Sequence, residues 1–212
     1  DQVVDVGADI EDMNARGSRF VLITPQGDAR IELPLPGRHN ISNALAAAAI
    51  ACALDVPLRH IVDGLNNVVA VSGRLRAQAM PGGWTVIDDS YNANPGSVTA
   101  AIDTLGLAVG ERWLVLGDMA ELGPDAPRLH ADIGVLARER GIERLFTVGV
   151  LAQAAAGAFG EGAHHCEDQQ SLIAVLRADL HAGVTCLVKG SHSSAMDRVV
   201  AAFTGEGAHD VS

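Results

Sequence analysis

The stretch WTVIDDSYNANPGS, Trp84 to Ser97, decides how the chain is read. An apolar run, Trp84 to Ile87, stops at two adjacent carboxylates, Asp88 and Asp89, and Asn94–Pro95 then opens a helix. Asparagine is a good N-cap and proline is pre-shaped for the first helical position, so the stretch reads as strand, polar loop and helix start. Similar runs follow at RWLVLGD (112–118), RLFTVG (144–149) and TCLVKG (185–190). Amphipathic segments near 95–108, 126–140, 168–181 and 194–203 separate and follow them. Apolar runs alternating with helices imply βαβ units and a parallel sheet covered on both faces.

The expected architecture is therefore α/β. A Rossmann-like, mostly parallel sheet domain of about 130 residues, a usual domain size, is expected over 80–212, with its boundary at the MPGG turn of 80–83. Residues 1–79 follow another pattern. RFVLIT (19–24) and ARIEL (29–33) flank a PQGD turn, a hairpin signal. LPLPGRHN then breaks the chain before a helix from about Ile41 to Leu54, and a second helix is expected in PLRHIVDGLNNV, with Pro57 in its first turn.

Composition narrows the function. The net charge of −11 argues against binding a phosphate backbone or an anionic lipid surface, both of which need clustered Lys and Arg. The longest apolar stretch, ISNALAAAAIACAL, falls short of the about 20 residues needed to span a bilayer, so no membrane insertion is expected. Cys52, Cys166 and Cys186 show no C-x-x-C spacing and suit reduced thiols in a cytosol. HHCE (164–167) lacks zinc-site spacing, and no metal site is expected in the chain.

In an open parallel sheet, ligands bind beyond the carboxyl ends of the strands. Those ends carry Asp88 and Asp89, Gly117–Asp118, Gly149, and Lys189–Gly190–Ser191, and Lys189 is the sole lysine of the chain. A single Asp there often only caps a helix or tightens a turn. Adjacent carboxylates, however, repel unless a cation, a positive side chain or a hydroxyl-bearing ligand shares their site; ribose hydroxyls or a metal-bound phosphate would serve, so this edge reads as a ligand edge. In GRHNISNALAAAA, Asn40 and Asn43 share a helix face; an amide can pair with a purine edge, or Asn40 can simply be an N-cap. VSGRLR puts Arg74 in a loop, either as a fork for phosphate or as a solvated surface arginine.

LPLPGRHNISNALAAAA, SGRLR, IDDSYNANPGSVTAAI, LVLGDMAELG and LVKGSHSSAMD occur in this order and resemble the C-terminal half of the Mur ligases, from about Gly17 to Phe203. The DDSYNANP and GDMAELG pair resembles the D-alanyl-D-alanine-adding branch in particular. The resemblance implies a cytoplasmic, monomeric, three-domain enzyme of peptidoglycan synthesis. Its substrates would be UDP-N-acetylmuramoyl-tripeptide, D-alanyl-D-alanine and ATP with Mg²⁺, and an acyl phosphate would precede the amide. It makes residues 1–79 the tail of a central ATP-binding domain. Carried over by position, it gives His39, Asn40 and Asn43 to the adenine side, Arg74 to the phosphates, and Asp89 to the ribose as partner of that arginine. Asn94 belongs to the same nucleotide-side motif. Asp118, Lys189, Ser191 and His192 fall on the acceptor side.

The chain departs from the family pattern at two points. No G-x-x-G-K-[ST] phosphate loop occurs, so that loop, the metal-binding carboxylate and the N-terminal and central domains are expected upstream of Asp1, and the chain alone is expected to be inactive. His192 stands where arginine is expected, which makes the contact there weaker and pH-dependent. Two other readings are a non-catalytic nucleotide- or peptide-binding module and a ligase of the folylpolyglutamate synthase kind.

Overall fold

The computed structural model describes residues 5–69 and 71–205. The chain divides into two compact units, residues 1–70 and 71–212.

In the first unit, β1 (Gly7–Asn14), β2 (Gly17–Thr24) and β3 (Gly27–Leu33) form an antiparallel sheet in the order β1-β2-β3. The expected hairpin is β2–β3, with Thr24 opposite Gly27. Alternation along these strands turns Phe20, Leu22, Ile31 and Leu33 into a core shared with Ile41, Ala44, Ala48 and Cys52 of α1 (Arg38–Ala53) and Ile61 of α2 (Leu58–Asn66). α1 starts three residues before the expected Ile41, because Gly37, at φ 91°, supplies the turn into it.

The second unit holds β4 (Arg76–Ala79), β5 (Thr85–Asp89), β6 (Glu111–Leu116), β7 (Arg144–Val148), β8 (Ala163–Cys166) and β9 (Val184–Lys189). They make one sheet in the order β4-β5-β9-β6-β7-β8, parallel throughout except for β4, which pairs antiparallel with β5. The helices are α3 (Pro95–Leu105), α4 (Ala126–Glu139), α5 (Gln153–Phe159), α6 (Gln169–Asp179) and α7 (Asp197–Thr204). Leu172, Leu176, Val199 and Val200, from α6 and α7, pack on Val86, Val115, Val188, Trp113 and Phe146 of one sheet face. The alternate residues Ile87, Leu114, Leu145 and Leu187 are buried on the other face, to which α3, α4 and α5 belong.

The division at 70/71 differs from the boundary expected at 80–83. Met80 N–H donates to Trp84 O and Gly83 N–H to Met80 O, so the MPGG turn closes the β4–β5 hairpin inside the second unit. β4, β8 and α5 were not expected, and each is short. α5 can lie close to α4 because Gly134 presents no side chain there; a Cβ at that position would collide with the backbone of Ala155.

All three cysteines are buried free thiols. Burial pushes Cys186 up to about 12, and burial followed by the charge of Asp168 raises Cys166. A raised pKa leaves little thiolate at Cys166 and Cys186 at pH 8, and Cys52 is shielded by burial alone, so an aromatic disulfide reagent will modify no cysteine of the folded protein at that pH and all three after denaturation. Rapid native labelling would show that the core opens there.

Candidate functional site at the carboxyl edge of the sheet

β5 and β6 lead into α3 and α4 on one face, while β9, between them, leads into α7 on the other. The chain therefore diverges to opposite faces beyond the carboxyl ends of β5, β9 and β6, where an open α/β sheet has its crevice. Asp88, Asp89, Asp118, Lys189, Ser191 and His192 all lie at this edge.

Asp88 and Asp89 do not share a site. Strand alternation sends them to opposite faces, and each has its own partners. Asp88 accepts from Gly73 N–H (2.7 Å) and Ser72 Oγ–H (3.4 Å) with one oxygen, and from Ser90 Oγ–H (2.6 Å) and N–H (3.2 Å) with the other. Asp89 stands opposite Lys189 in the parallel β5–β9 register, and Lys189 Nζ lies 2.6 Å from Asp89 Oδ2. Asp89 Oδ1 accepts from Leu75 N–H (3.2 Å), and Lys189 also donates to Asn92 O (2.8 Å). The Lys189 and Asp89 side chains are only 3% and 12% exposed. Mutual repulsion of the two carboxylates, the sequence argument for a ligand edge, is thus relieved inside the fold.

The loop before β4 is tied to the loop after β5. Besides its bond to Asp88, Gly73 accepts from Tyr91 N–H at 3.1 Å. At φ 77°, a Cβ on Gly73 would stand 3.0 Å from that of Tyr91, so glycine is required there. Leu75 also takes a left-handed backbone, φ 52°, which a non-glycine residue adopts at some cost. Arg74, between them, is exposed and sets its guanidinium over the Tyr91 ring, 4.7 Å from the centroid. In place of the expected Arg74–Asp89 contact, a lysine, Lys189, lies on Asp89 and the Tyr91 ring carries Arg74. His192, exposed, meets the same ring edge-on, with centroids 6.2 Å apart.

The other candidates are engaged within the fold. Asn94 Oδ1 accepts from Ser97 N–H and Ser97 Oγ accepts in return from Asn94 N–H, which makes Asn94 the N-cap of α3. Asp118 Oδ1 accepts from Leu151 and Ala152 N–H at the start of α5, and its main-chain oxygen accepts from Ser191 N–H and Ser194 Oγ–H. Ser191, buried, shares its hydroxyl with those of Ser193 and Ser194. In the first unit Asn40 is not an N-cap but the third residue of α1; its amide donates to Pro36 O at 2.7 Å. Asn43 is exposed one turn on, and His39 is half-buried.

Two positioning residues escaped the sequence reading. Tyr91 carried no signal beyond its place between the carboxylates and the N-cap. His130 is fully buried, and its Nε2 accepts from Met119 N–H (2.9 Å), which leaves Nδ1–H to donate to Ala126 O (2.7 Å) and fixes the neutral tautomer. It anchors the loop after β6. Among the described residues no three His, Cys, Asp or Glu stand close enough to hold a metal ion. In HHCE, His165 Nδ1 is 2.9 Å from Thr147 Oγ1 and Cys166 belongs to the core.

The family model for the Mur ligase glutamate ligase domain matches residues 73–192, and that for the Mur ligase middle domain matches residues 4–51. The chain belongs to the Mur ligase family. UDP-N-acetylmuramoyl-tripeptide–D-alanyl-D-alanine ligase of Escherichia coli (strain K12) is 44% identical over 197 residues, which are 92% of this chain and 43% of that enzyme. The ligase of the same name from Mycobacterium tuberculosis (strain H37Rv) is 34% identical over 89% of this chain and 42% of its own length. Among solved Mur ligases, MurF from Acinetobacter baumannii superposes with a TM-score of 0.84 at 35% identity, over 93% of this chain and 44% of that one. The chain spans less than half the length of these relatives. MurF from Thermotoga maritima in complex with ADP (TM-score 0.79, 19% identity) and folylpolyglutamate synthase from Mycobacterium tuberculosis (TM-score 0.64, 24% identity) share the fold.

Proposed function

We propose that this chain is the carboxyl-terminal part of an ATP-dependent ligase that adds D-alanyl-D-alanine to UDP-N-acetylmuramoyl-tripeptide in the cytoplasm, through an acyl phosphate. The 44% identity to the Escherichia coli ligase, sustained over 92% of the chain, carries the reading. In it, residues up to 70 are the tail of the ATP-binding domain, with Asn40 and Asn43 on the adenine side and His39 beside them. Residues from 71 form the domain that meets the acceptor.

The residues here fit part of what the reaction needs. Arg74 has no carboxylate partner among the described residues, so its N–H edges suit a polyphosphate. The carboxylates do not fit Mg²⁺, since Asp88, Asp89 and Asp118 are engaged by amides, hydroxyls and Lys189. The metal ligands and phosphate loop are assigned to parts of the enzyme outside this chain. Asp89 holds Lys189 and the 89–92 loop, and His192 is the acceptor-side residue that faces solvent.

The test is a substrate panel on the complete enzyme with ATP, Mg²⁺ and the UDP-linked tripeptide, reading ADP release and product mass. D-alanyl-D-alanine is expected to be consumed and glutamate not. Glutamate addition to a folate acceptor would transfer the reading to the polyglutamate ligases, and no turnover with any acceptor would favour a binding module.

A further inference from the structure

We propose that Tyr91 is the positioning residue for Arg74, and that its ring, not its hydroxyl, does the work. The inference rests on the assignment of Arg74 to the nucleotide phosphates. Three separate features bind the arginine's loop to this residue. Tyr91 N–H donates to Gly73 O at 3.1 Å, Gly73 passes so close that any side chain would press on Tyr91, and the Arg74 guanidinium stacks 4.7 Å from the ring centroid.

A carboxylate partner would occupy the in-plane N–H edges that a phosphate needs. An aromatic face holds the guanidinium by its π-surface and leaves those edges outward, so the cation is oriented without being neutralised. Tyr91 is itself over half exposed, at 53%, and the ring faces Arg74 and His192 rather than the core. It is fixed from below: Lys189 clamps Asn92 O and Asp89, on either side of the Ser90–Tyr91 pair.

The test is a double-mutant cycle in the complete enzyme, with KM for ATP, KM for D-alanyl-D-alanine, kcat and the unfolding midpoint measured for Arg74→Ala, Tyr91→Leu, the double variant and Tyr91→Phe. Arg74→Ala is expected to raise KM for ATP about tenfold or more, the loss of a charge-assisted contact. Tyr91→Leu should raise it about two- to fivefold, as for an exposed cation–π pair, with the unfolding midpoint unchanged. Tyr91→Phe should match the wild type, and Tyr91→Leu should add nothing in the Arg74→Ala background. Full additivity, or a Phe variant as impaired as the Leu variant, overturns the proposal. If Arg74→Ala itself leaves KM unchanged, the phosphate assignment fails. The stack is read separately, by the ring-current shift of the Arg74 side-chain resonances, lost in Tyr91→Leu and kept in Tyr91→Phe; no such shift in the wild type overturns the stack.

Discussion

Replacing Lys189 with methionine will lower the stability of the protein by about 3–5 kcal/mol, the usual result of removing one partner of a buried ion pair. The magnitude follows from what is left behind. Asp89, in a side chain 12% exposed, loses the ammonium 2.6 Å away that balances its charge, and Asn92 O loses the 2.8 Å bond that holds its loop. Chemical denaturation of wild type and variant measures the loss. Adding Asp89→Asn should restore part of it, because the amide keeps an oxygen for Leu75 and leaves no uncompensated charge. A Lys189→Met protein as stable as wild type would mean that Asp89 finds another cation or stays protonated. The pair also revises what Asp89→Ala can report. With a buried lysine left facing the gap, stability should fall along with ATP turnover.

The long elements of this chain are legible because each states itself locally. β5, β6, β7 and β9 are apolar runs, and α3 has Asn94–Pro95 and Ser97 to mark its start. The elements that escape detection are short and held from a distance. β4 is RAQA, with alternate residues half-buried, and exists as a strand because β5 offers it a ladder. β8 is AHHC at the opposite sheet edge. α5, QAAAGAF, has a glycine in its interior and no side-chain cap of its own; the amides just before it, of Leu151 and Ala152, are taken by Asp118, more than 30 residues earlier. The same non-locality explains the site. That Asp88, Asp89, Asp118 and Lys189 converge on one edge follows from strand ends alone. How they divide the partners depends on the order β5-β9-β6, which puts a lysine 100 positions away beside Asp89, and no local pattern contains that order.

Asp88→Ala is the second large effect expected, about 2–4 kcal/mol, and it should be felt in one loop. One carboxylate satisfies the amides of Gly73 and Ser90 and two hydroxyls in a buried setting, and hydrogen bonds to a charged acceptor are worth about 1.5–3 kcal/mol before relaxation and water entry reduce their sum. Asparagine should not rescue the loss. Its amide nitrogen would face either Gly73 N–H or the Ser90 donors, and two donors cannot share a bond. Ser90→Ala, which removes only the 2.6 Å hydroxyl partner, should cost about 1 kcal/mol and so bound that part of the total. The distinguishing readout is amide exchange at Gly73: fast in Asp88→Ala, slow in Ser90→Ala. Protection retained at Gly73 in Asp88→Ala would mean that the Tyr91 N–H to Gly73 O bond alone holds the loop carrying Arg74, and the role given to Asp88 would fall.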